Sequence, residues 1–123
     1  MKEIKILIAE DYLDNFLLLK VLLKELPCII THAIDGEEAL RIIQKESFDL
    51  YLIDIHMPNI DGYEFIKRIR QNNNLTPAIA QTASAFSADA EKCLNSGFNE
   101  YIAKPIDKDL LIQKVRKLLN QPQ

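Results

Sequence analysis

The sequence predicts an α/β fold, one parallel sheet of five strands with helices on both faces, and two observations carry the prediction. Short apolar runs, of which Leu50-Tyr51-Leu52-Ile53 is the plainest, lack polar alternation and read as strands buried on both sides. Between them lie stretches with apolar residues at helical spacing, and the links are short enough to imply right-handed β-α-β crossovers.

Ile4 to Ala9 reads as the first strand, and Glu10-Asp11 leads into a helix expected over about Leu13 to Leu26, which Pro27 closes. Cys28 to Ala33 is β-branched enough for a second strand. Asp35-Gly36 then turns the chain into a helix carrying Ala39, Leu40, Ile42 and Ile43. The third strand ends in a carboxylate, Asp54, before Pro58 and Asp61-Gly62 turn the chain. A helix from about Tyr63 to Arg70 buries Phe65, Ile66 and Ile69, and the solvated run Gln71 to Thr76 ends it. Pro77 opens a fourth strand, Ala78 to Thr82. A weaker helix follows over about Ala88 to Asn95, with Ser87 as N-cap and Gly97 as its stop. Glu100 to Ala103 is the fifth strand. Asp107 then caps a last helix with Leu110, Leu111, Val115, Leu118 and Leu119 as its buried stripe.

With 123 residues, nearly half of them apolar, the chain is expected to form a single domain over residues 1–123, with no effector domain in the chain. The net charge of −3, without any basic block, argues against direct nucleic-acid binding. MKEIKILIAED places charge on both sides of a short apolar run, so it is neither a signal peptide nor a membrane span. A cytoplasmic protein without membrane contact is expected. Cys28 and Cys93 lie in apolar segments and read as reduced core thiols.

The polar residues at the strand ends form a pattern. The first strand delivers Glu10 and Asp11, the third Asp54, the fourth Thr82 and the fifth Lys104. The carboxyl ends of parallel strands form the ligand crevice of such sheets. Three carboxylates gathered there repel one another unless a cation sits among them. Oxygen ligands completed by water suit Mg²⁺, which also favours phosphate oxygens. Asp54 can then serve as a carboxylate nucleophile toward phosphorus, with Lys104 neutralising charge and Thr82 donating its hydroxyl to a phosphoryl oxygen. Each residue alone has a plainer reading: acidic residues cap helices, Thr is a strand former, and Lys before Pro is a solvated loop charge. Their convergence on one end of one sheet favours chemistry.

Four stretches in order, ILIAED, LYLIDIHMPNIDG, PAIAQTASA and GFNEYIAKPI, resemble the response regulator receiver domain of two-component signalling. With the intervening helices they cover nearly the whole chain. The resemblance implies a flavodoxin-like, doubly wound sheet with strand order 2-1-3-4-5. It implies that Asp54 is the phosphoacceptor, and that Asp11, Asp54 and the backbone carbonyl of His56 ligate Mg²⁺, with Glu10 acting through water. It also implies phosphoryl contacts from Thr82 and Lys104, a switch formed by Thr82 and Tyr101, and a cis Lys104-Pro105 peptide. Such a domain is a signalling receiver rather than an enzyme with an external substrate, and catalyses only its own phosphorylation and dephosphorylation. The partner implied is a histidine kinase or histidine phosphotransfer protein, and the receiver itself would be a monomer or a weak, phosphorylation-dependent dimer. GFNEYIAKPI and Asn15 are similar to receivers attached to hybrid histidine kinases; a stand-alone response regulator is the alternative.

Leucine on the first helix exceeds what one buried face needs. Phe16, Leu19, Leu23 and Leu26 can face the sheet, leaving Leu18 and Leu22 near Asn15 on the other flank. A docking face of Asn15, Leu18, Leu22 and Pro105 would use that surplus, and a crowded core helix would also explain it. Tyr101 could equally be a packing residue, and His56, if near Asp54, either tunes hydrolysis or is an ordinary exposed loop histidine.

Two positions depart from the family pattern. Gln81 stands where an apolar residue is usual and brings an amide that needs partners, and Glu10 is one methylene longer than the usual Asp. Rival readings fare worse. A haloacid dehalogenase-type phosphatase would want an Asp where His56 stands, and a nucleotide or flavin module would want a glycine-rich or hydroxyl-rich loop. A degenerate interaction domain would have lost an acidic residue or Lys104.

Overall fold

Residues 3–83 and 87–119 are described by the computed structural model. Five strands, β1 (Ile4–Ala9), β2 (Cys28–Ala33), β3 (Leu50–Asp54), β4 (Ala78–Thr82) and β5 (Glu100–Ala103), alternate with five helices. The helices are α1 (Leu13–Leu22), α2 (Gly36–Ile43), α3 (Gly62–Gln71), α4 (Ser87–Ser96) and α5 (Lys108–Leu119). The sheet order is β2-β1-β3-β4-β5 with every neighbouring pair parallel, as expected.

Side chains alternate across a strand, so each apolar run of the sequence divides between two cores. Leu7, Tyr51, Ile53, Ala78 and Ala80 join Phe65, Ile66, Ile69 and Cys93 on the side of α3 and α4. Ile6, Ile8, Leu50, Leu52, Ile79 and Ile102 join Phe16, Leu19, Leu111 and Val115 on the side of α1 and α5. All five residues of β3 and all five of β4 are buried. Burial of each large side chain contributes about 1.5–3 kcal/mol, so the two inner strands anchor the layers.

All five strand spans match the sequence reading, and the differences lie in the helices. α1 ends at Leu22, four residues before the expected Leu26. The chain tightens there into three-residue turns, with Lys24 N–H donating to the Val21 carbonyl at 3.2 Å and Leu26 N–H to that of Leu23 at 3.0 Å. Pro27 disfavours helical geometry at Leu26, which explains the early stop. In α5, Leu110 is 40% exposed and Ile112 takes its place in the core beside Leu111 and Val115. A stripe of 111, 112, 115, 118 and 119 follows helical spacing, and Leu110 falls outside it. α3 and α4 each extend one residue further at both ends than expected. The N-cap role expected of Ser87 lies outside the described side chains. Cys93 is buried, but Cys28 only half so.

Two tethers fix the connections. Asp35 caps α2 by accepting from Glu38 N–H at 2.8 Å, and its second oxygen accepts from Asn59 Nδ2 at 3.1 Å. Gly36 beside it packs directly on the Ile60 carbonyl, leaving no room for a Cβ. At the opposite end of the sheet, Arg70 donates from Nη1 to the carbonyls of Asn74 and Thr76 at 2.8 and 2.7 Å. Its Nε donates to Gly97 O at 3.0 Å and its Nη2 to Asn99 Oδ1 at 3.1 Å. One guanidinium thereby joins the α3–β4 and α4–β5 connections. Arg70→Met keeps much of the stem and removes these donors, and is expected to lower the unfolding free energy by about 2–3 kcal/mol in denaturant titrations.

Candidate functional site

The strand order reverses between β1 and β3, and this is where open parallel sheets form a ligand crevice. Ala9 is in register with Ile53, so the following residues, Glu10 and Asp54, emerge side by side. Carboxylate oxygens of Glu10, Asp11 and Asp54 lie within 4.8 Å of one another. Glu10 is fully buried and Asp54 nearly so, whereas Asp11 is exposed.

The other half of the sheet brings the cation. Asp54 pairs with Gln81 and Thr82 with Ala103, which sets the buried Thr82 one step beyond Asp54 and Lys104 one step beyond that pair. Lys104 N–H donates to the Thr82 carbonyl at 2.8 Å. The Lys104 ammonium donates to Asp54 Oδ2 at 3.2 Å and stands 3.7 Å from Glu10 Oε1. Asp54 Oδ1 accepts the backbone N–H of His56 at 3.0 Å. The His56 side chain is exposed, and the Lys104–Pro105 peptide is cis.

Glu10 is supported from both sides. Its Oε2 accepts Tyr12 N–H at 3.2 Å, and its backbone carbonyl is 2.8 Å from His32 Nε2. The His32 ring stacks on Phe16 of α1, with 3.8 Å between centroids and 6° between planes. Nothing in the sequence marked His32, which lies 22 positions away and meets Glu10 only through the β1–β2 pairing. Glu10 Oε1 is buried without a hydrogen-bond partner among the described residues. Burial, and next the negative charge of Asp54, push the Glu10 carboxyl up to about 7. A divalent cation among these oxygens would relieve both effects, and the hard oxygen donors suit Mg²⁺. The residues present therefore fit that ion.

The remaining candidates lie further out. Tyr101 is half-buried against the α3–α4 core, and the Lys114 ammonium lies 4.8 Å from its ring centroid while donating to the Tyr101 carbonyl at 2.7 Å. Asn15, Leu18 and Pro105 line a groove between α1 and the β5–α5 connection. Leu18 is 47% exposed, but Leu22 packs partly against the core. Sequence reasoning missed how much more of α1 and its N-cap is open: Tyr12 at the cap and Leu13, Leu17 and Val21 on the helix are all exposed apolar residues. Their signal was present, since leucine and valine occur all round this helix, but no amphipathic period marked which ones face out.

Residues 6–116 match the family described as the response regulator receiver domain. The sensor protein EvgS of Escherichia coli O157:H7 is 38% identical over 110 residues, covering 89% of this chain and 9% of that protein. The chain thus spans under a tenth of that relative's length. A 14.6 kDa protein of Leptolyngbya boryana is 37% identical over 119 residues, covering 95% of this chain and 91% of that one. Among solved structures, the receiver domain of the Pseudomonas aeruginosa PAO1 sensor histidine kinase PA1611, described with magnesium coordinated in its active-site cleft, superposes with a TM-score of 0.87. It is 32% identical and covers 98% of this chain and 100% of that one. The receiver domain of Ssk1 from Saccharomyces cerevisiae, co-crystallised with the histidine phosphotransfer protein Ypd1, gives 0.87 at 28% identity and covers 94% of this chain and 88% of that one. No helix among the described residues is long and apolar enough to cross a membrane.

The Glu10 shift has a sign that can be measured. Between its ordinary value of 4.5 and about 7 the folded protein holds a proton that the unfolded chain has released, so stability is lost as pH rises through that window. In metal-free buffer the melting temperature is expected to fall between about pH 5 and pH 8. Glu10→Gln should flatten that dependence in thermal melts.

Proposed function

The chain belongs to the response regulator receiver domain family of two-component systems, and from that premise we propose that it takes a phosphoryl group onto Asp54 from a phosphohistidine partner. The observation that carries the reading is the Lys104 ammonium 3.2 Å from Asp54 Oδ2, beside three carboxylates close enough to share one divalent ion. Asp11 and Asp54 would hold Mg²⁺ together with the His56 carbonyl, and Glu10 through water. Bound there, the ion would neutralise phosphoryl oxygens and oppose the charge of the carboxylates. An Asp54 carboxylate oxygen forms the new bond to phosphorus as the phosphorus–nitrogen bond breaks. The electron pair leaves with the imidazole, which departs neutral when its other nitrogen carries a proton. The His56 N–H on Oδ1 orients the carboxylate, and Lys104 balances the charge of the transferring group.

The acyl phosphate brings new charge and acceptor oxygens beside Thr82, whose hydroxyl is drawn toward them. Tyr101 then turns inward, and the surface of α4 and β5 changes its preferred partner. The donor docks on α1 through Asn15, Leu18 and Leu22, with Pro105 and the newly seen Leu13, Leu17 and Val21 extending the face. A histidine kinase or phosphotransfer bundle suits such an apolar helix, and the Ypd1–Ssk1 complex supports that kind of partner. We read the chain as a single cytoplasmic receiver domain, monomeric or weakly dimerising on phosphorylation, and as the receiver of a hybrid histidine kinase, supported by EvgS. The Leptolyngbya relative, matched over nearly its full length, favours the second reading, a stand-alone regulator. An immunoblot of the native organism distinguishes them, since a hybrid kinase would give a band far larger than this chain.

Incubation with a small phosphodonor and Mg²⁺ should add one phosphoryl group by intact mass, and none to Asp54→Ala. Incorporation that survives Asp54→Ala would place the nucleophile elsewhere. Lys104→Ala should slow incorporation on the order of a hundredfold. With beryllium fluoride as phosphoryl mimic, a structure in which Thr82 and Tyr101 stay put would count against the switch.

A further inference from the structure

Gln81 lies on β4, with its side chain on the α1–α5 side of the sheet. The residue is fully buried, and neither Nε2 nor Oε1 of its carboxamide has a hydrogen-bond partner among the described residues. Buried amides are ordinarily paired, and one left unpaired at both ends destabilises the fold that contains it. It lines a groove of about 260 Å³ whose other walls are Asn15, Leu18 and Leu19 of α1 and Lys104, Pro105 and Ile106 of the β5–α5 connection. This groove runs along the docking face proposed above.

We propose that Gln81 is a specificity-determining residue of that face, and that its carboxamide receives a second carboxamide, an Asn or Gln side chain on the docked helix of the phosphohistidine partner. The inference rests on the docking reading above. A carboxamide offers a donor and an acceptor side by side and can close two hydrogen bonds with Gln81 at once. A carboxylate would satisfy Nε2 alone and bring a charge between Leu18, Leu19 and Ile106. An ammonium would satisfy Oε1 alone and meet the like charge of Lys104. A partner with leucine at this position would leave the amide buried and unpaired, so the groove discriminates against it.

The test uses isobutyramide as a probe on the whole chain, read in wild type and variant alike by the backbone amide resonances of Leu18, Leu19 and Ile106, which line the groove, and in wild type also by the side-chain amide of Gln81. A saturable shift with a millimolar dissociation constant is expected, several-fold weaker for N,N-dimethylisobutyramide, which cannot donate, and absent in Gln81→Leu. Gln81→Leu should also raise the melting temperature by several degrees, because an unpaired amide is replaced by an apolar group of similar size. A structural role for the amide predicts the reverse. No saturable shift, equal binding of the dimethyl analogue, contacts from water alone, or a lowered melting temperature would each overturn the inference. The same wild-type sample is taken through small-donor phosphorylation. Incorporation at Asp54 without an isobutyramide shift overturns this inference alone, and failure of incorporation overturns the reading beneath it.

Discussion

Two carboxylates emerge side by side from the middle of a parallel sheet, and the rest of the site answers to that arrangement. Register between β1 and β3 places Glu10 next to Asp54, and burial removes the water that would screen them. Lys104 crosses from β5 to within 3.7 Å of both, yet one ammonium does not balance three acidic groups. The metal-free protein compensates by holding a proton on Glu10 well above the usual carboxylate range. A crevice whose own charges repel offers the donor set that a divalent cation would take, and a cation held there would favour phosphate oxygens.

Much of this was legible because fully buried strands leave an unmistakable trace. β3 and β4 have no solvent side, so their sequences show no alternation, and the short links leave little freedom in how they connect. Once the strands were placed, Glu10, Asp11, Asp54, Thr82 and Lys104 fell at their carboxyl ends by counting alone. Helices were less transparent. α1 is apolar all round, so neither its last turn nor the packing of Leu22 could be read from a period, and in α5 adjacent leucines hid that Ile112 rather than Leu110 faces the sheet.

Contacts that depend on register between distant strands left no sequence signal. His32 reaches the Glu10 carbonyl because β2 lies beside β1, and its ring then lies flat on Phe16. Lys114 approaches Tyr101 from α5 and grips Glu100 at 3.0 Å as well. An inward turn of the Tyr101 ring would forfeit that cation contact, so α5 has a stake in the ring's position that its sequence did not announce. Gln81 was the exception, since an amide in an apolar run is visible at once as needing a partner, and among the described residues that need is unmet.

The contact of Gly36 with the Ile60 carbonyl, reinforced by the Asp35–Asn59 hydrogen bond, ties the start of α2 to the loop that carries His56. That loop is therefore held in place by the fold itself. Its conformational entropy is surrendered during folding rather than at an encounter, so a partner meeting this face would find its surface already built.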